Sequence, residues 1–312
     1  INMHPSQQYV LHGLDKYFNE LVNLYNEKKL PSKILLTGKK GSGKATMAYH
    51  FINYVLSNFE ENNYDLEKFT INEDNKSYRL LLGKSNPNFF LIDLIDEKKN
   101  IEINQIRQLI NYLNKSNFNK RPRFILIDNI EYLNKNSTNA LLKVIEEPND
   151  DIYFLLIHNE RKTILSTLKS RCLSFKINLS FNETINITNK LLNENLLKLI
   201  NVELINYYNS PGDFYNLINF SSENKINLLE TNLIDLINIL IERGLYKKNK
   251  FAKNTLVNYI ELFFLKRYKL SDTKDIILNT YQTFVKKIDN ANNFNLDEES
   301  LFMEFKSKML NE

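Results

Sequence analysis

At 312 residues, with 43% hydrophobic and 12% aromatic content, the chain holds enough apolar material for two or three domains. A net charge of +4 is too small to argue for nucleic-acid binding by itself, and the single cysteine, Cys172, leaves no disulfide pair and no cysteine-rich zinc module in this sequence. No stretch approaches about 18 apolar residues and no basic-then-apolar leader is present, so the expectation is a soluble, cytoplasmic protein with no membrane contact.

Residues 1–30 predict a helix with Val10, Leu14, Tyr17, Phe18, Leu21, Val22 and Tyr25 on one face, ended by Leu30-Pro31. A short apolar strand, Ile34 to Thr37, then runs into a Gly-rich turn and a helix carrying Met47, Ala48, Phe51, Ile52, Val55 and Leu56 inward. Residues 59–85 are polar and weakly patterned. Asn86-Pro87-Asn88 introduces a second strand, Phe89 to Ile92, and Asp96 to Asn100 forms a charged turn. Ile103, Ile106, Leu109, Ile110 and Leu113 make an amphipathic helix, and the apolar run Phe124 to Ile127 ends in Asp128.

Asn136 to Glu147 predicts a helix halted by Pro148, followed by a strand over 153–157 that ends at His158-Asn159. A short helix, Thr163 to Lys169, leads through Ser170-Arg171-Cys172 to a last strand over 173–177. Strands alternating with helices imply a parallel sheet covered on both faces. Residues 179–220 predict short helices interrupted at Ser210-Pro211-Gly212. Beyond about 223 only helical stripes remain: Ile226, Leu229, Leu233, Ile237 and Leu240; Leu256, Tyr259, Ile260 and Phe263; Ile277, Tyr281, Phe284 and Ile288; Leu301, Phe302, Phe305 and Met309. The expected domains are an α/β core over 1–178, a small helical lid over 179–221 and an all-helical collar over 222–312.

The chemistry concentrates in the turn after the first strand. Gly38, Gly41, Ser42, Gly43 and Lys44 spell G-x-x-x-x-G-K, in a chain that has only seven glycines to spread over all its turns. Glycines let backbone N–H groups converge on phosphate oxygens, Lys44 reaches the β/γ-phosphates, and the following helix presents its positive end. The next residue is Ala45, where a Ser or Thr hydroxyl should ligate Mg²⁺. Asp128 has the form of the Walker B carboxylate, but the residue after it is Asn129, an amide that cannot act as a base. Lys39 and Lys40 read as solvated loop lysines in preference to anion ligands, and Cys172 as a small buried hydrophobe.

Taken together, Gly38–Lys44, Ile127-Asp128, the run Asn139-Ala140-Leu141-Leu142-Lys143-Val144-Ile145-Glu146-Glu147-Pro148 and Ser170-Arg171-Cys172 resemble the AAA+ clamp-loader family in order and spacing, over the whole chain. Within that family the resemblance is to the delta-prime type of the bacterial DNA polymerase III clamp loader. Ala45, Asn129 and Asp213, the last standing where Ser-Pro-Gly-Arg would place a sensor-2 arginine, are losses from the ATPase pattern, while Arg171 is kept. The resemblance implies a stator in a hetero-pentamer, with Arg171 acting as an arginine finger on ATP held by a neighbouring subunit. The implied partners are ATPase subunits, a clamp-opening delta subunit, the sliding clamp, and primer-template DNA through the complex. No cofactor is required, zinc is not expected, and weak nucleotide binding stays open because the glycine cradle is kept. His158 or Asn159 stands near the family's sensor-1 position. The rival readings are a catalytically active ATPase subunit of the same loader and another DNA-associated AAA+ protein.

Overall fold

The computed structural model describes residues 4–95, 98–115, 119–146, 151–160, 162–294 and 297–310. The predicted charged turn at Asp96, and Glu147-Pro148 at the end of the predicted helix, lie partly or wholly outside them. The chain forms two compact units, residues 1–191 with Ser210–Asp213, and residues 192–209 with 214–312.

In the first unit, α1 (Asp15–Asn26) leads to β1 (Lys33–Thr37), and α2 (Lys44–Ser57) follows the glycine turn. Next come α3 (Lys76–Leu82), β2 (Phe89–Ile92), α4 (Ile103–Leu113), β3 (Arg123–Ile127) and α5 (Lys135–Glu146). β4 (Ile152–His158), α6 (Ser166–Lys169), β5 (Leu173–Lys176) and α7 (Phe181–Leu192) complete it. The strands form one parallel sheet in the order β2-β3-β4-β1-β5, the α/β AAA+ core that the motifs imply. Successive side chains of a strand point to opposite faces, so a sheet covered twice needs apolar residues at every position. Ile34 and Leu36 of β1 pack with Phe18, Met47 and Phe51 on one face, while Leu35 packs with Ile106, Leu109 and Leu141 on the other. Truncating Leu35, fully buried on a central strand, costs about 2–5 kcal/mol.

Two sequence expectations change here. Val10 lies ahead of α1 and bridges Thr70, because the backbone from Tyr9 to Leu11 pairs with Phe69 to Ile71. The weakly patterned stretch after α2 adds long-range polar pairings to buried residues such as Ile71 and Leu81: Asn53 and Asn75 exchange side-chain bonds of 3.2 and 3.3 Å, and buried Tyr64 meets His50 at 2.9 Å. Such pairings join residues far apart and leave no period to read.

The second unit contains α8, which starts at Pro211 in the first unit and runs to Glu223, then α9 (Leu233–Glu242), α10 (Lys250–Leu270), α11 (Lys274–Phe294) and α12 (Glu298–Phe305). A π-helical turn, Lys306–Leu310, follows. Ser210-Pro211-Gly212 therefore opens a helix where an interruption was expected. Proline suits the first helical position, which has no hydrogen-bond partner for an N–H. Leu229 sits half-exposed in a turn before α9, outside the predicted stripe. The core of this unit includes an aromatic cluster in which Phe264, Phe284 and Phe305 lie with ring centroids 5.6–6.0 Å apart. Among the described residues no helix is long and apolar enough to cross a membrane.

Candidate functional site

The glycine turn joins β1 to α2 at the carboxyl edge of the sheet. Gly38 has φ +142° and a Cβ there would stand 2.4 Å from the Ile177 carbonyl oxygen, so only glycine fits. Gly41 has φ +79° and a Cβ there would meet Ser210 Oγ at 2.4 Å. Gly43, also left-handed, is the residue before α2, and Lys44 is the first helical residue. Two of the loop's donors are used within the loop itself. Lys44 Nζ donates to the Gly38 and Lys39 carbonyls at 2.7 and 2.6 Å, and Ser42 N–H donates to the Lys39 carbonyl at 3.3 Å.

The start of α8 closes over the outer side of this loop. Gly212 N–H donates to the Gly41 carbonyl at 3.0 Å. Ser210 and Asp213 cap the helix reciprocally: Ser210 N–H donates to Asp213 Oδ2 at 2.9 Å and Asp213 N–H to Ser210 Oγ at 3.1 Å. Asp213, which stands in place of a sensor-2 arginine, has its carboxylate on its own helix start and within electrostatic reach of Lys39.

Behind the loop, Asp128 follows β3. Burial, and then Asp93, push its carboxyl up to about 6, against the Asn129 N–H and Lys44. Burial holds Lys44 down to about 8, with Asp128 the strongest charge pulling it back. Asn129 adopts φ +56°, a conformation asparagine tolerates better than most residues, and its amide is committed at both ends. Its Nδ2 donates to Asp93 Oδ1 at 2.8 Å, and its Oδ1 accepts from Asn159 Nδ2 at 3.0 Å. Glu131 accepts the Asn159 N–H through Oε2, while its Oε1 is buried without a partner. Sequence reasoning took Asn129 only as a missing base. The structure adds a linkage from β2 through Asn129 to the Asn159 end of β4, for which the sole advance signal was an asparagine at a strand exit. His158, the other sensor-1 candidate, faces the Lys162 carbonyl at 2.8 Å instead.

Magnesium with a nucleotide fits these residues poorly. Ala45 offers no side-chain oxygen, and Ser210 fills the space beside Gly41. Among the described residues no group of three or more His, Cys, Asp or Glu is placed to hold a metal.

Arg171 stands apart from all of this, in the turn between α6 and β5, with its side chain 38% exposed. Its Nη1 donates to the Thr167 carbonyl at 2.8 Å and its Nη2 meets Glu146 Oε1 at 2.7 Å. Cys172 beside it donates to the Leu168 carbonyl at 3.3 Å, and burial pushes its thiol up to about 11, so it is packing and no nucleophile.

A sequence profile described as DNA polymerase III, delta subunit, matches residues 13–180, which carry the loop, Asp128 and Arg171. The chain belongs to that family. Delta-prime subunits of DNA polymerase III stand among its relatives. That of Pseudomonas aeruginosa is 30% identical over 138 residues, covering 44% of this chain but only 40% of the relative. That of Buchnera aphidicola subsp. Schizaphis graminum is 24% identical over 295 residues, covering 89% and 84%. The gamma subunit of the same Buchnera is 31% identical over 221 residues, covering 67% of this chain and 57% of the relative. A solved DNA polymerase III gamma subunit-related protein from Thermotoga maritima aligns over 94% of this chain and 96% of its own, at 16% identity and a TM-score of 0.46.

Proposed function

We propose that this DNA polymerase III delta-family chain is a delta-prime-type stator of the clamp loader. It hydrolyses no ATP itself, and it offers Arg171 to the ATP of a neighbouring ATPase subunit. One contrast carries the reading: Lys44 is spent on its own loop, while Arg171 lies at an exposed turn, where an incoming phosphate can reach it. An arginine presented in trans neutralises charge developing on the transferred phosphoryl group. The helical segment from about 222 onward is the collar that joins the hetero-pentamer of ATPase subunits and a clamp-opening delta subunit. The sliding clamp and primer-template DNA are met through that complex, in the cytoplasm. Neither zinc nor a resident nucleotide is required, and any nucleotide held at Gly38–Lys44 is held weakly.

The test is reconstitution with candidate partner subunits, followed by ATP hydrolysis with and without primed DNA. Arg171→Ala should assemble but hydrolyse slowly, whereas Lys44→Ala should hydrolyse at the wild-type rate. The gamma-subunit relative and the kept glycine cradle favour one rival, an active ATPase subunit. Steady phosphate release by the chain alone, abolished by Lys44→Ala, would establish that rival.

A further inference from the structure

Glu146 is the final described residue of α5 and its side chain is exposed. Its partner is Arg171, 25 positions along the chain and on a different element, at 2.7 Å. The same guanidinium is held on its other side by the Thr167 carbonyl of α6. Both terminal nitrogens of Arg171 are thus engaged by the chain's own acceptors, through an ion pair open to water on both members (38% and 50% exposed).

We propose that Glu146 is a latch for Arg171: it parks the guanidinium on α6 until a neighbour's phosphate replaces the carboxylate. This rests on the reading of Arg171 as a finger acting in trans. Glu146 is a positioning residue in this scheme and touches no nucleotide. A phosphate carries more charge and more acceptor oxygens than one carboxylate, so it wins the exchange when seated, while stray anions in solution do not. An exposed pair is weak enough to exchange readily and strong enough to restrict the side chain beforehand.

Glu146→Gln keeps the shape and removes the charge. In the reconstituted loader it should lower the ATP concentration for half-maximal hydrolysis by about two- to five-fold, the factor an exposed pair is worth, with kcat unchanged. The difference from wild type should shrink at about 1 M salt, where the pair is screened. In the isolated chain with labelled arginine, the Arg171 Nε–H signal should turn from restricted to mobile on the same substitution. That readout needs no partner and reports the pair itself, while the shift in half-saturating ATP is what a merely structural pair would not give. An unchanged half-saturation and an unchanged Nε–H signal overturn the latch while leaving the finger standing. A fall in kcat with Glu146→Gln overturns it too, by making the carboxylate an aid to the working pose. If Arg171→Ala in the same assay leaves hydrolysis untouched, finger and latch fail together.

Discussion

The phosphate loop and the Arg171 turn sit on one sheet core and treat their cations in opposite ways. Lys44 is 2% exposed, bonded to two carbonyls of its own loop, and its charge is opposed by burial. Arg171 is exposed and held by a carboxylate that water also reaches. A buried, satisfied charge is costly to recruit, since whatever it leaves must be left unpaired. An exposed charge is exchanged at almost no cost. A family motif can thus persist as local architecture with its own cation no longer free to exchange.

The largest effect that tests this comparison is Arg171→Ala. At the neighbouring site proposed for it, single-turnover hydrolysis should fall on the order of 10²-fold or more, with the melting temperature of the isolated chain hardly moved. Arg171→Lys should recover part of the rate, because an ammonium lacks the planar fork. A wild-type rate in the alanine variant removes the distinction between the two regions.

Next is acid sensitivity of the helix that carries Lys44. His50 of α2 is fully buried, faces Tyr64 and the Gln8 carbonyl, and burial lowers it from 6.5 to about 4. The unfolded chain binds that proton more readily, so His50 contributes stability above pH 6.5 that is lost as the pH falls towards 4. The loss is on the order of 3 kcal/mol by linkage. Asp128, raised to about 6, acts in the opposite sense over an overlapping range, its contribution fading as the pH rises through 6. Urea titrations of wild type and His50→Gln between pH 4 and 7 isolate the histidine as a difference. Parallel pH profiles for the two proteins contradict it.

Gly41→Ala should destabilise the first unit by about 1–3 kcal/mol, since a positive φ and a close oxygen both resist a methyl group. Thermal unfolding measures it, and Ser210→Gly in the same chain should recover part of the loss by vacating the space. The smallest expected effect belongs to Lys44→Ala, which should leave the hydrolysis rate of the assembled loader within error of wild type. A marked fall there means the loop does use its lysine on a nucleotide.

Much of this architecture was legible in the sequence, for specific reasons. The five strands are apolar runs bounded by turn residues, and each was placed to within a residue or two because a doubly covered sheet admits few polar positions. The glycine turn declared itself by residue type. Helical spacing misled at Val10 and Leu229, where apolar residues fell at the right interval by coincidence, one pairing with Thr70 and the other facing solvent. The Asp93–Asn129–Asn159 linkage and the Glu146–Arg171 pair were illegible. Polar partners some 25 to 36 positions apart leave no periodic trace, and only the folded sheet brings them together.

The position of β1 has a consequence for how the chain is made. β1 is an early strand in the chain yet lies between β4 and β5, with Lys33 opposite Phe154 and Ile34 opposite Leu173. During synthesis at roughly 5–20 residues per second, its first partner emerges on the order of 10 s after it does. For that interval a run of Ile34, Leu35 and Leu36 has bare edges on both sides, and the glycine turn has nothing to close against. Long-range parallel pairing of this kind is slow to form and exposed to aggregation. The nascent chain is therefore most in need of a chaperone before residue 176 has left the ribosome, and a truncation ahead of β4 strands the very segment the finished fold hides best.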